Sequence, residues 1–207
     1  MKHLKPIFIF ALIVLSFNLK AQTIQDVLAD KSIPVTFYGV DFTKALLIGD
    51  SKANPDDIVN RQYTGINDLM IKESDKYNVA AAFNRVEVPA VLETVKKRNE
   101  SIKPDKILSS NTTDYNRLTE NDAAAVLKSF KTDGSAGVGV LFVVDAMNKA
   151  QEKMSAWVLV FDNKTKKIIL NERHEGKVGM SFSFRNYWAA GLKNIILSLN
   201  AKNRKRK

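Results

Sequence analysis

"VGVLFVVDA", residues 138–146, decides how this chain folds. It is rich in β-branched residues, too short for a buried helix, and apolar at both alternating sets of positions until Asp145. A strand with two apolar faces belongs in the middle of a sheet covered on both sides. "SAWVLVFD" (155–162) repeats the pattern, and "KKIILNERH" (166–174) begins apolar and turns charged, as an edge strand does. Between the last two, "NKT" is a hairpin-sized link with Asp162 and Asn163 as turn residues. Upstream, Pro34 introduces "VTFYGVDF" (35–42), a further strand that reads as interior.

The segments between carry helical signals. Asn54 caps, Pro55 suits a first helical position, and Asp56 and Asp57 complement the positive end of the helix. Ile58, Val59, Tyr63, Ile66, Met70 and Tyr77 then form a stripe at helical spacing. Residues 78–88 are expected as a short strand, and Pro89 is expected to open a helix through Glu100. Residues 101–118 are the least regular stretch, with a brief strand expected near 106–109. Thr119 and Asp122 spell a capping box, and Gly134 suits the exit of that helix. The last helix follows "FSFRNYW" and carries Trp188, Leu192, Ile195, Ile196 and Leu199 on one side. The predicted class is α+β or mixed α/β: one sheet, mixed or mostly antiparallel, with helices packed on it.

The ends differ from the body. Lys2 and Lys5 precede an apolar core of about a dozen residues, short of the roughly 20 needed to span a bilayer, and Ala21–Gln22 offers a cleavage point. Residues 1–21 therefore read as a signal peptide, 22–200 as one α/β domain, and 201–207 ("AKNRKRK") as a disordered basic tail. Leu19 is larger than the small residue favoured before a cleavage site, so an uncleaved anchor is the alternative. The formal charge of +10 belongs mostly to these ends: Lys2, Lys5, Lys20, Lys202, Arg204, Lys205, Arg206 and Lys207 leave a body near +2. No nucleic-acid partner is expected from so balanced a body, and the tail is expected to touch anionic lipid or lipopolysaccharide weakly.

Cysteine is absent, which removes thiolate chemistry, disulfides and an amino-terminal lipid anchor. "GSAGVGV" (134–140) precedes a strand rather than following one, so it is no phosphate loop, and no cofactor or metal is expected. Asp41, Asp145 and Asp162 each close an apolar run and would hold a hard cation if gathered at one rim. Consecutive antiparallel strands instead place Asp145 and Asp162 at opposite rims, and Asp162 also suits a turn. His174 is expected as a surface residue at a strand end, thin ground for a hydrolytic triad. The residues left unexplained by packing are Asp41, whose buried carboxylate demands a partner such as Arg185 or a backbone donor, and Arg185, Asn186 and Tyr187 themselves. Asn186 reads as the cap of the last helix, with Phe182 and Phe184 stapling its entry.

With those residues in view, the chain resembles the small exported proteins of Bacteroidota that have no established function, through its Ala-Gln start, "VTFYGVDF", and the "RNYW" of "FRNYWAAGLKNII". At fold level it also resembles the α/β domain of curli-secretion lipoproteins and penicillin-binding-protein activator lipoproteins. That resemblance implies binding or assembly. The chain departs from those proteins in lacking the anchoring Cys, and it carries over no functional residue. The reading leans away from an enzyme and toward a binding or assembly module of the envelope, with another envelope protein or surface component as partner. The alternatives are an exported hydrolase or metal-dependent enzyme using Asp41, Asp145, Asp162 or His174, and an anchored surface protein.

Overall fold

The computed structural model describes residues 22–207; the leader read at 1–21 lies outside the described residues. In chain order come α1 (Ile24–Ala29), β1 (Val35–Asp41), β2 (Leu46–Ile48), α2 (Pro55–Asp57), a π turn (Ile58–Gln62), α3 (Tyr63–Lys72) and α4 (Val79–Ala82). Then follow α5 (Glu93–Glu100), β3 (Leu108–Ser109), α6 (Glu120–Ser129), β4 (Val138–Asn148), β5 (Lys153–Asp162), β6 (Ile168–Lys177) and α7 (Phe184–Arg204). The six strands make one mixed sheet, ordered β3-β2-β4-β5-β6, with β1 also beside β4. Both β1 and β2 run parallel to β4, and β4, β5 and β6 are antiparallel.

β4 is the centre of this arrangement and is buried at all its positions. One sheet face packs against α1, α3, α4 and α7 through Val140, Phe142, Met154, Val158 and the Trp188–Leu199 stripe. The other packs Leu141, Val143, Leu159 and Phe161 against α6 and Val95 of α5. This two-sided cover is what the uninterrupted apolar runs require. α7 comes close to the sheet where two glycines meet: a Cβ on Gly176 would stand 2.0 Å from the Gly191 carbonyl oxygen.

β1 is the other edge beside β4, and its outward backbone groups are closed by side chains. Asn67 of α3 accepts the Val40 N–H at 2.8 Å and donates to the Val40 carbonyl at 3.0 Å. Asn99 of α5 donates to the same carbonyl at 2.9 Å and accepts the Phe42 N–H at 2.8 Å. Phe37 exchanges bonds with Pro89 and Val91, at 2.8 Å and 2.9 Å. Both asparagines are buried. Gly39, at φ +90°, carries the irregularity that lets them approach; a Cβ there would stand 2.6 Å from Asn67 Oδ1.

Three expectations are corrected. Residues 78–88 are no strand: Asn78 caps α4, its Oδ1 accepting the Ala81 N–H at 2.7 Å, and Asn84 then turns the chain at φ 56°. Pro89 opens no helix, because its carbonyl is spent on β1; α5 begins at Glu93. The last helix runs past Asn200 to Arg204, since Asn203 is buried and donates to the Ala82 carbonyl at 2.9 Å, and Lys202 and Arg206 pair with Glu172.

Candidate functional site

The end of β6 and the start of α7 bring the unexplained residues together. Ser183, not Asn186, caps α7: its Oγ accepts the Asn186 N–H at 3.2 Å. Ser181 Oγ accepts the Ser183 N–H at 3.2 Å, so the two serines face one another across a tight bend. Phe182 between them is turned outward. It does not staple the helix; it is 114 % exposed, and Met180 is 105 % exposed. Phe184 alone takes the packing role, its ring 6.2 Å from that of Trp188.

Around this loop lie two clefts. One, of about 610 Å³, is lined by Glu152, Val178, Met180, Phe182 and Tyr187. Tyr187 is held between Trp188, edge-on at 5.0 Å, and the Lys149 ammonium, 3.6 Å above its ring. The other, of about 470 Å³, is lined by Arg61, Gln62, Ser183, Arg185 and Asn186. Gly65 of α3 makes room for Arg185: a Cβ there would stand 2.7 Å from its Nε.

Arg185 is therefore not the partner of Asp41. That role falls to Arg98 of α5, whose Nε donates to Asp41 Oδ2 at 2.6 Å. Asp41 also accepts the Thr43 N–H at 2.8 Å, and Arg98 reaches Ser129 Oγ at 3.1 Å. The carboxylate is fully buried and this network forms the floor between α5 and α6.

The remaining acidic candidates stay apart. Asp145, at the irregularity of β4, accepts the Leu118 N–H at 3.2 Å and lies 3.5 Å from Arg173 Nε. Burial raises its pKa above the ordinary carboxylate value, against the pull of those donors. Asp162 faces Val138 at the other end of β4, and its carboxylate accepts the Lys164 and Thr165 N–H groups at 3.1 Å and 2.7 Å. Burial works to raise its pKa and these donors overcome it, leaving it low. Among the described residues no group of three acidic or imidazole side chains is placed to hold a metal ion.

His174 is not a surface residue. β6 continues past it to Lys177 and α7 covers it, leaving it 5 % exposed. Its Nδ1 is 3.2 Å from Ser198 Oγ and its Nε2 is 3.5 Å from Glu172. The line Ser198–His174–Glu172 has the residue types of a hydrolytic triad, but Glu172 is bound by Lys202 at 2.9 Å and by Arg206. Ser198 sits inside α7, where its N–H serves the helix and offers no oxyanion donor. Burial lowers the His174 pKa, with Glu172 opposing and Lys202 and Arg206 assisting. The unfolded imidazole titrates near 6.5, so below that pH the unfolded chain binds the extra proton first and stability falls as pH falls. The urea midpoint is expected to drop between about pH 7 and pH 5, and the drop to shrink in His174→Gln. Equal slopes in both proteins would show that the imidazole is not the linked group.

No protein-family model matches the chain, and no curated protein matches it. Two solved structures are similar to it. The LpoB C-terminal domain from Salmonella enterica is 8 % identical, with 75 % of this chain and 96 % of that one covered at a TM-score of 0.32. Lipoprotein GNA1162 from Neisseria meningitidis is 13 % identical, with 83 % and 96 % covered at a TM-score of 0.31. Likeness at this level does not extend to individual side chains.

Sequence reasoning singled out Arg185, Asn186 and Tyr187 but missed Met180, the outward turn of Phe182, and Lys149. A cue was present: Met180 and Phe182 alternate with Gly179, Ser181 and Ser183, a composition that suits a loop better than a core.

Proposed function

We propose that this protein is a non-enzymatic binding or assembly module of the cell envelope, and that it makes contact through residues 178–187. The observation that carries the reading is the exposure of Met180 and Phe182 on one loop. Large apolar side chains scattered singly on a surface need no explanation, but two at the tip of a bend beside an aromatic-lined cleft form an anchor of the kind that dominates binding energy. Export supports the envelope as the place, through the leader pattern of residues 1–21. Arg185 and Asn186 border the anchor on one side and Tyr187 with Lys149 on the other.

The test is capture from detergent-solubilised envelope extract by the wild type and by Met180→Ser/Phe182→Ser. Losing both anchors is expected to weaken capture at least about tenfold, because each contributes on the order of 1.5–3 kcal/mol when buried. The fold is expected to be unaffected, since neither side chain packs on anything. Equal capture by both proteins would remove this surface from the function, as would no capture by either together with no binding of the wild type to envelope vesicles.

A further inference from the structure

Three cations that make no direct ion pair lie around the exposed loop. Lys177 ends β6 three residues before Met180, and Arg185 follows Phe182 by three. Lys149 lies over the ring of Tyr187, a residue that lines the cleft. Lys149, Lys177 and Arg185 make no ion pair, a state they share with many other cations among the described residues, and Arg185 acts only at longer range on the Asp57 carboxylate. The one carboxylate in the cleft is Glu152. The buried Nε of Arg185 also lacks a hydrogen-bond partner.

Its position in the helix makes Arg185 more telling. The first turns of α1, α5 and α6 carry Asp26, Glu93, and Glu120 with Asp122, whereas those of α3 and α4 carry no acidic residue and no arginine. The first turn of α7, the longest helix, holds no acidic residue and has Arg185 instead. A cation at the positive end of a helix is unfavourable by itself. It becomes favourable where an anion is met, because the free N–H groups and the guanidinium then act on the same charge.

Resting on the reading above, we propose that the ligand of residues 177–187 is an anionic phospholipid bilayer. Met180 and Phe182 enter the acyl boundary, and Lys149, Lys177, Arg185 and the start of α7 meet the headgroup phosphates. A convex tip with two apolar side chains above a ring of unpaired cations is complementary to a surface that is apolar within and anionic at its face. The basic end of α7 is a weaker candidate for the same role, because Lys202 and Arg206 are already engaged by Glu172.

The chain has no cysteine, so Met180→Cys in the full chain gives a unique site for an environment-sensitive fluorophore, and Glu87→Cys gives an exposed control beside the β1 edge. A local label reads insertion of the loop whatever residues 1–21 do. With vesicles of phosphatidylglycerol and phosphatidylethanolamine in equal parts, the label at 180 is expected to shift to the blue and to be quenched by a lipid-borne quencher. The label at 87 is expected to stay in water. Lys177→Gln and Arg185→Gln are each expected to weaken the titration about fivefold, and phosphatidylcholine vesicles to weaken it further. A label at 180 that ignores anionic vesicles overturns the inference, as does one that responds equally to phosphatidylcholine. If it is silent while detergent extract still yields a partner dependent on Met180 and Phe182, a protein occupies the loop and the binding-module reading survives. If both are silent, both fall.

Discussion

Arg98→Ala is expected to destabilise the protein by about 3–5 kcal/mol, the cost of leaving a buried charge without its partner. Asp41 has no exposed side-chain surface and Arg98 is 21 % exposed, so the guanidinium is the only cation that reaches the carboxylate among the described residues. Against a typical total stability of about 5–15 kcal/mol this is a large fraction. Thermal unfolding is expected to move down by roughly 6–20 °C at about 2–4 °C per kcal/mol for a domain of this size. Asp41→Ala removes the charge itself and also the acceptor for Thr43, so it is expected to be destabilising too. The double variant is expected to lose about 1–3 kcal/mol less than the two single losses added, because the orphaned charge is then gone. Strict additivity in that cycle would mean the two side chains do not interact. The pair also ties the end of β1 to α5 and α6, which explains why a charge is tolerated at a site the sheet buries completely.

Asn99→Leu is the second large effect, expected at about 2–4 kcal/mol. It removes the acceptor of the Phe42 N–H and one of two donors to the Val40 carbonyl, in a site with no water access. Leucine is similar in volume, so the loss reads the missing bonds rather than a cavity. Asn67→Leu is expected to act in the same way on the Val40 N–H. Amide exchange checks the mechanism: Phe42 is expected to speed up selectively in Asn99→Leu, and Val40 in Asn67→Leu. Exchange that rises uniformly across β1 would point to general loosening instead. The two variants are also expected to aggregate more readily, because the amides are what deny this edge to another strand.

These effects bear on how the chain could be read. The capping box of α6, the apolar stripe of α7 and the stripe from Ile58 to Met70 were legible because each is a local matter of spacing and cap chemistry. The order of strands was legible only in part. The apolar runs announce β1, β4 and β5 as interior, but nothing local says that β1 and β2 share one side of β4. The short strand expected at 78–88 failed because Asn78 offered a helix cap, a choice propensity alone does not decide. Arg98 was not singled out as the partner of Asp41, since nothing local in "KKRNESIK" ties it to a residue 57 positions earlier. Likewise Phe182 and Phe184 share one periodicity, yet one lies in solvent and the other packs beside Trp188.

By itself the sequence determined the two-sided burial of the central strands, the starts of the helices at Asn54 and Thr119, and the exclusion of thiol chemistry. Each follows from composition or from contacts within a few residues. The tertiary structure alone decided which arginine meets Asp41, that two asparagines close the β1 edge, that His174 is buried, and that Met180 and Phe182 stand free above unpaired cations. The physical reason is that pairing and exposure are properties of neighbours brought together by the fold. Asp41 and Arg98 are separated by 57 positions, and no periodicity spans that distance.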